Sequence, residues 1–245
     1  MRNKRKSPYD PLLFQGIAHR GLHDSASTEN GMGAFQKAID AGVAIECDVH
    51  LSKDKHLVVC HDSSLLRTTG KEGIIEDLTL SEIKEGYRLL DGGEVPTFQE
   101  LYDLVQERVP LVVELKTKDR NYFALARQAK KEFAQVKDPS KLVVISFDPR
   151  ALLWVSGCRH STGLLVTDTA TWVIQLGYNF DFMDVQDTLV EDPKVQRLRE
   201  KGHLLNVWTI DTEKKLQKVL PHVDMVTFQD LPLSHLRDSL AKRNG

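Results

Sequence analysis

Nine short apolar runs recur along the chain: GIAH (16–19), AIECDV (44–49), LVVCH (57–61), LVVELK (111–116), LVVISF (142–147), TGLLV (162–166), FMDVQ (182–186), LLNVWTI (204–210) and DMVTF (224–228). Segments of helical period lie between most of them. AFQKAIDA follows an expected Thr28 N-cap and precedes Gly42, FQELYDLVQERV follows Thr97, YFALARQAKKEFA follows the fourth run, and PKVQRLREKG follows Asp192. Continuous apolar strands alternating with helices argue for a parallel sheet covered by helices. One pair breaks the alternation. Only residues 52–56 separate Leu51 from LVVCH, too few for a right-handed crossover, so these two runs form a hairpin that turns near Asp54. Setting the returning strand aside leaves eight βα units, the pattern of a (β/α)8 TIM barrel, which occupies about 250 residues. A length of 245 residues then makes a single domain, 1–245. An open doubly wound sheet would also alternate this way, but no GxGxxG turn follows the first run to support it.

Residues 62–96, DSSLLRTTGKEGIIEDLTLSEIKEGYRLLDGGEVP, fit no barrel unit. They carry GKEG and DGG turns and one short amphipathic helix expected from Thr79. The segment reads as a small insertion after the second strand, capping the barrel mouth as a lid or substrate selector. Its Leu65, Leu66, Ile74, Ile75 and Leu78 read either as the insertion's own small core or as a groove for an acyl chain.

The formal net charge of −2 favours neither nucleic acid nor an anionic membrane as partner. Cys47, Cys60 and Cys158 are odd in number and lack paired spacing, so they read as apolar fillers rather than a disulfide framework. The basic start, MRNKRKSPYD, leads into no apolar segment of signal length, and no stretch approaches the ~18 apolar residues of a membrane helix. The expectation is a cytoplasmic chain without a stable membrane anchor, ending in a solvated terminal helix from His235.

Position along the strands then singles out chemistry. In IECDVHLSKDKHLVVCHD (45–62), Ile45, Cys47, Val49 and Leu51 share one face of a period-two pattern, and Glu46, Asp48 and His50 share the other. Two adjacent carboxylates repel and are costly to bury unless positive charge lies between them, and a divalent metal supplies it. Mirror counting about the turn sets His61 across from the stretch Glu46 to Asp48. His19 and Arg20 end the first strand, Glu114 and Lys116 end LVVELK, and Trp208 lies near the end of the seventh barrel strand, so all of them converge on one rim. Glu46, Asp48 and Glu114 are hard oxygen ligands that suit Mg²⁺ or Ca²⁺ better than Zn²⁺. His19 and His61 are a pair that can accept and donate a proton near neutral pH. Arg20 and Lys116 suit a phosphate group. His56, His160, His203 and His222 read as surface or satisfied core residues, and His23 and His50 as supporting or exposed ones.

These residues carry a family resemblance. HRG (19–21), EN (29–30), IECDVHLSKD (45–54), VVCHD (58–62), LLRTTG (65–70), PTFQEL (96–101) and VVELK (112–116), in this order, resemble the glycerophosphodiester phosphodiesterase family, with weaker continuation through VISFD and NVWTID. The resemblance implies a (β/α)8 barrel with residues 62–96 as the family's insertion, one metal on Glu46, Asp48 and Glu114, acid and base on His19 and His61, phosphate contacts from Arg20 and Lys116, and a pocket aromatic at Trp208. It implies hydrolysis of a small-molecule glycerophosphodiester, such as glycerophosphocholine or glycerophosphoethanolamine, to sn-glycerol 3-phosphate and an alcohol. The nucleophile is either water or the substrate's own glycerol 2-hydroxyl, and His19, beside a cationic Arg, is the expected base. The sequence departs from the family at Thr28, where Pro is usual, at Asp211, where Asn is usual, and in DMVTFQDLP. A Thr at 28 can start the helix equally well, so only the latter two departures bear on substrate preference, and the hydrolytic centre is expected to stay untouched. The competing readings are a lysophospholipase D with an acyl groove, a catalytically silent phosphate- or polyol-binding module, and a metal-dependent sugar isomerase.

Overall fold

The computed structural model describes residues 9–157 and 159–243, so the basic start and Cys158 lie outside the described residues. The strands are β1 (Ile17–Ala18), β2 (Ala44–Leu51), β3 (Leu57–Val59), β4 (Leu111–Leu115), β5 (Leu142–Ser146), β6 (Ser161–Val166), β7 (Phe182–Gln186), β8 (Leu204–Ile210) and β9 (Met225–Phe228). Apart from β3, all neighbours in the sheet pair parallel, and β1 pairs with both β2 and β9, which closes eight strands into a barrel. The hairpin arithmetic holds: β3 runs antiparallel on the outside of β2, with Val49 opposite Val59 and Leu51 opposite Leu57.

The helices are α1 (Met32–Asp40), α2 (Leu66–Thr69), α3 (Leu80–Gly86), α4 (Phe98–Val105), α5 (Tyr122–Phe133), α6 (Pro149–Val155), α7 (Pro193–Glu200), α8 (Glu213–Val219) and α9 (Leu233–Arg243). Local chemistry starts several of them. Thr97 and Glu100 form a reciprocal capping box at α4, and Thr79 and Glu82 form another at α3. Asp192 accepts from the Lys194 N–H ahead of Pro193 at α7. At α1 the expectation fails. Gly31, not Thr28, precedes the helix, and Thr28 instead exchanges hydrogen bonds with Asp91, its N–H donating to Asp91 Oδ2 at 2.8 Å and its Oγ1 accepting from the Asp91 N–H at 3.2 Å. α4 also ends early, at Val105, because Gln106 turns into the left-handed region at φ 47°. Among the described residues no helix is long and apolar enough to cross a membrane.

Alternation along each strand divides the core in two. Ile45, Cys47, Val49, Val113 and Val144 face outward into the layer shared with the helices, whereas Ile17, Ala44, Val112, Val143 and Phe182 face the barrel interior. Leu13, in a 3-10 turn over Pro11–Gln15, joins the interior set and stoppers the N-terminal end of the barrel. The terminal helix is not simply solvated: Leu236 and Leu240 are buried in the outer layer. Residues 62–96 carry α2, a 3-10 turn and α3 over a separate small core that contains Leu65, Ile75, Ile83, Tyr87 and Leu89.

Candidate active site

All eight residues of β2 are buried, so its inward side chains cannot escape to solvent. Glu46 and Asp48 point into the C-terminal end of the barrel, and Glu114 stands beside Asp48 in the β2–β4 register. One carboxylate oxygen from each lies within 4.8 Å of the others. Burial pushes the Glu46 carboxyl well above its ordinary pKa, with Asp48 and Glu114 adding to the rise. Burial likewise raises Glu114 to about 8, against the pull of Lys116. Burial opposes ionisation of Asp48 too, but Lys116 and Arg20 outweigh it and hold that carboxyl below the usual range. Lys116 Nζ lies 3.0 Å from Glu114 Oε1 and 3.4 Å from Asp48 Oδ1, which accepts no hydrogen bond among the described residues. The cluster is thus short of positive charge at its centre. Three buried oxygen donors, one of them an orphaned atom, fit a hard divalent cation.

Both histidines are held through Nδ1. The side-chain amide of Gln229 is oriented by donating Nε2–H to Asp230 Oδ2 (3.0 Å), so its Oε1 faces His19 Nδ1 at 2.7 Å and must accept the proton there. Neutral His19 therefore keeps its lone pair on Nε2, which lies 4.0 Å from Glu46 Oε2. Burial, then the Arg20 guanidinium, lower its pKa to about 4. His61 Nδ1 lies 2.6 Å from Asp62 Oδ1, a carboxylate that accepts, so Nε2 is again the available nitrogen. Burial depresses the His61 pKa, as do Lys116 and Arg20, while Asp48 and Asp62 oppose the shift.

Several further residues position these groups. Arg20, at φ 54°, donates its backbone N–H to Glu46 Oε2 at 3.0 Å and a guanidinium N–H to Glu29 Oε1 at 2.8 Å. Asn30 donates to Asp48 Oδ2 at 2.8 Å. Arg67 grips both oxygens of Glu29 at 2.8 and 2.9 Å and Asp62 Oδ2 at 2.6 Å. His50, expected only as a supporting or exposed residue, is buried, with its ring nitrogens 2.7 Å from Glu76 Oε1 and 3.0 Å from the His61 carbonyl. Glu29, Asn30, Asp62 and Arg67 lay in the quoted motifs without an assigned role, because only the fold shows what each one reaches. Gln229 corrects an expectation. It belongs to the departing segment DMVTFQDLP, so that departure does reach the His19 side of the centre.

The structure brings His19, Arg20, Glu46, His61, Glu114 and Lys116 to one pocket, with Asp48 behind it. Trp208 lines the same pocket, its ring edge-on to Phe147 at 5.6 Å and its Nε1–H donating to the Asp184 carbonyl at 3.3 Å. The eight residues that the sequence analysis assigned to the site therefore lie together. Asp184 and Thr227, unremarked in the sequence, line this pocket too.

The model of the glycerophosphoryl diester phosphodiesterase family matches residues 19–232. A glycerophosphodiester phosphodiesterase of Caldanaerobacter subterraneus subsp. tengcongensis is 30% identical over 226 residues, covering 83% of this chain and 88% of the relative. A lysophospholipase D of Mus musculus is 25% identical, covering 86% of this chain and 74% of the relative. The solved structure of an Oleispira antarctica phosphodiesterase in complex with the product sn-glycerol-3-phosphate has the same fold, with a TM-score of 0.79 at 24% identity, covering 93% of this chain and 96% of the other.

Proposed function

Because this chain belongs to the glycerophosphoryl diester phosphodiesterase family, we propose that it hydrolyses glycerophosphodiesters such as glycerophosphocholine or glycerophosphoethanolamine to sn-glycerol 3-phosphate and an alcohol, using His19 and His61 as base and acid. The observation that carries this reading is the pair of imidazoles, each anchored through Nδ1 and lining the pocket that holds the three buried carboxylates. Glu46, Asp48 and Glu114 would hold a divalent metal, Mg²⁺ or Ca²⁺, which supplies positive charge to a phosphoryl oxygen. Arg20 and Lys116 hold the remaining phosphate charge. His19 Nε2 takes the proton of the attacking hydroxyl. Its partner is the uncharged amide of Gln229, and its pKa of about 4 keeps it unprotonated at neutral pH. His61 gives a proton to the leaving alkoxide: of the two imidazoles it is the one with a carboxylate behind its ring, and Asp62 offsets part of the burial that depresses its pKa. Trp208 packs on the substrate.

Residues 62–96 act as the cap, on the support of Arg67, which ties the insertion to Glu29 and Asp62 at the pocket rim. Two free buried cysteines, Cys47 and Cys60, support a cytoplasmic site of action. The similarity to a lysophospholipase D keeps that second reading open to test. Leu65 and Ile75 do not supply its acyl groove, since both are wholly buried in the insertion's own core.

The test is turnover of a panel of glycerophosphodiesters and lysophospholipids with EDTA and metal add-back. The expected result is metal-dependent release of sn-glycerol 3-phosphate, with kcat/KM for glycerophosphocholine above that for lysophosphatidylcholine. The reverse preference selects the lysophospholipase D. Metal binding without any turnover selects a silent binding module.

A further inference from the structure

The pocket has a second polar wall that the proposed hydrolysis does not use. Around the barrel, β7 is four strands from β2 in either direction, through β4, β5 and β6 or through β1, β9 and β8. Asp184 on β7 therefore stands diametrically across from the strand that carries Glu46 and Asp48, and it lines the same pocket. Its neighbours in register are Leu165 on β6 and Asn206 on β8. Asp184 Oδ1 accepts one amide hydrogen of Asn206 at 2.8 Å, and Asn206 also donates to Thr227 Oγ1 at 2.9 Å. Thr227 thereby acts as an acceptor and keeps its own hydroxyl hydrogen. Asp184 Oδ2 receives no hydrogen bond from any described residue, and the carboxyl has no ion-pair partner among them.

This is a costly residue to place on that wall. The surrounding lining is Ile145, Phe147, Leu165 and Trp208, and a carboxyl whose second oxygen opens on that pocket without a protein donor is stabilised by a ligand group that bonds to it. The ligand must complement a carboxyl that faces no cation. A hydroxyl group does so, because it donates to a carboxylate and accepts from a carboxylic acid.

We propose that Asp184, with Asn206 and Thr227 behind it, is the site that binds a glycerol hydroxyl of the substrate and makes the enzyme select phosphodiesters of a polyol. The inference rests on the phosphodiesterase reading above. With the phosphate held by Arg20 and Lys116 on the β2–β4 side, the glycerol moiety spans the barrel, its hydroxyl on Asp184 and its C–H face against Trp208 and Phe147. Asp184 is thus a specificity residue with no part in proton transfer.

The experiment compares kcat/KM for glycerophosphocholine with that for the phosphocholine diester of propane-1,2-diol, which lacks only the terminal hydroxyl. The wild-type protein is expected to prefer glycerophosphocholine by at least ~10-fold. Asp184→Leu should bring that ratio to within about threefold of one. Asp184→Asn, which keeps the Asn206 bond and can still donate to a hydroxyl, should retain most of it. Should Asp184→Leu fail to fold, the Asp184→Leu/Asn206→Leu pair, which leaves neither partner of that hydrogen bond unsatisfied, answers the same question. In parallel, thermal stabilisation of the metal-loaded proteins by sn-glycerol 3-phosphate and by its counterpart lacking the terminal hydroxyl is measured. The wild type should be stabilised more by the former, and Asp184→Leu, or the double variant in its place, equally by both. A folded leucine variant that retains the wild-type ratio overturns the assignment, as does a wild type that treats both diesters alike. If the wild type cleaves neither diester, the hydrolytic reading fails, and the thermal comparison still decides the hydroxyl site.

Discussion

Glu46 occupies a wholly buried strand because alternation gives it no other face, and without positive charge nearby burial drives its carboxylate to take up a proton. Replacing Glu46 by Gln, Asp48 by Asn or Glu114 by Gln should each remove metal-dependent activity and the rise in Tm produced by added Mg²⁺ or Ca²⁺. Unchanged metal stabilisation in all three variants would show that the ion binds elsewhere. His19→Ala and His61→Ala should each lower kcat by about 10²-fold or more, the range for a positioned proton transfer. A variant that turns over at the wild-type rate removes its histidine from the mechanism. Asp184 gives a separate pH signature. Burial raises its folded pKa from the ordinary 3.8 to about 7, with only the Asn206 hydrogen bond opposing. The folded state therefore holds the proton more tightly than the unfolded chain. The stability this confers is complete below about 3.8 and is lost as pH rises through about 7. Relative to Asp184→Asn, the wild type should lose on the order of a few kcal/mol in urea unfolding between those limits. A pH-independent difference between the two proteins would contradict this.

The elements split into those with local causes and those with remote ones. α4 and α7 start where the sequence places them, because Thr97 with Glu100 and Asp192 with Pro193 act within a single turn. Thr28 misleads for the opposite reason: its partner, Asp91, is 63 residues away in the insertion, and no local pattern announces that contact. The insertion shows both kinds. Its Thr79 capping box is local, whereas its hold on the site runs through Arg67 to Glu29 and Asp62. Arg67→Ala should therefore lower kcat/KM by roughly 10-fold, since a fork that bonds two carboxylates orders the neighbours of both Arg20 and His61. Leu66→Ser, at a residue 48% exposed, should leave Tm nearly unchanged. Ile75→Ala should cost ~2–5 kcal/mol of local stability. Hydrogen exchange should then rise across residues 62–96 while the barrel strands stay protected, and uniform protection would mean that the insertion has no core of its own.

At the scale of the molecule, the barrel is completed by contacts that join the two ends of the described chain. β1, only Ile17–Ala18, pairs with β2 on one side and β9 on the other, and α9 seals the same seam with Leu236. A Cβ on Gly16, which sits at φ +112°, would lie 2.5 Å from Leu236 Cδ2. Leu236→Ala should lower global stability by about 2–5 kcal/mol, read as a lower denaturant midpoint, and an unchanged midpoint would mean that the helix is dispensable. The sequence by itself determined the count of βα units, the hairpin after β2 and the convergence of His19, Arg20, Glu46, Asp48, His61, Glu114, Lys116 and Trp208 on one rim. Strand period and a closed eightfold pattern dictate which end of each strand a residue occupies. Only the tertiary structure decided which nitrogen of each histidine is free, that Arg67 reaches Glu29, that Gln229 backs His19 and that Asp184 faces Glu46 across the barrel. Each of those depends on side chains far apart in the chain meeting at hydrogen-bonding distance, and periodicity carries no record of the partner.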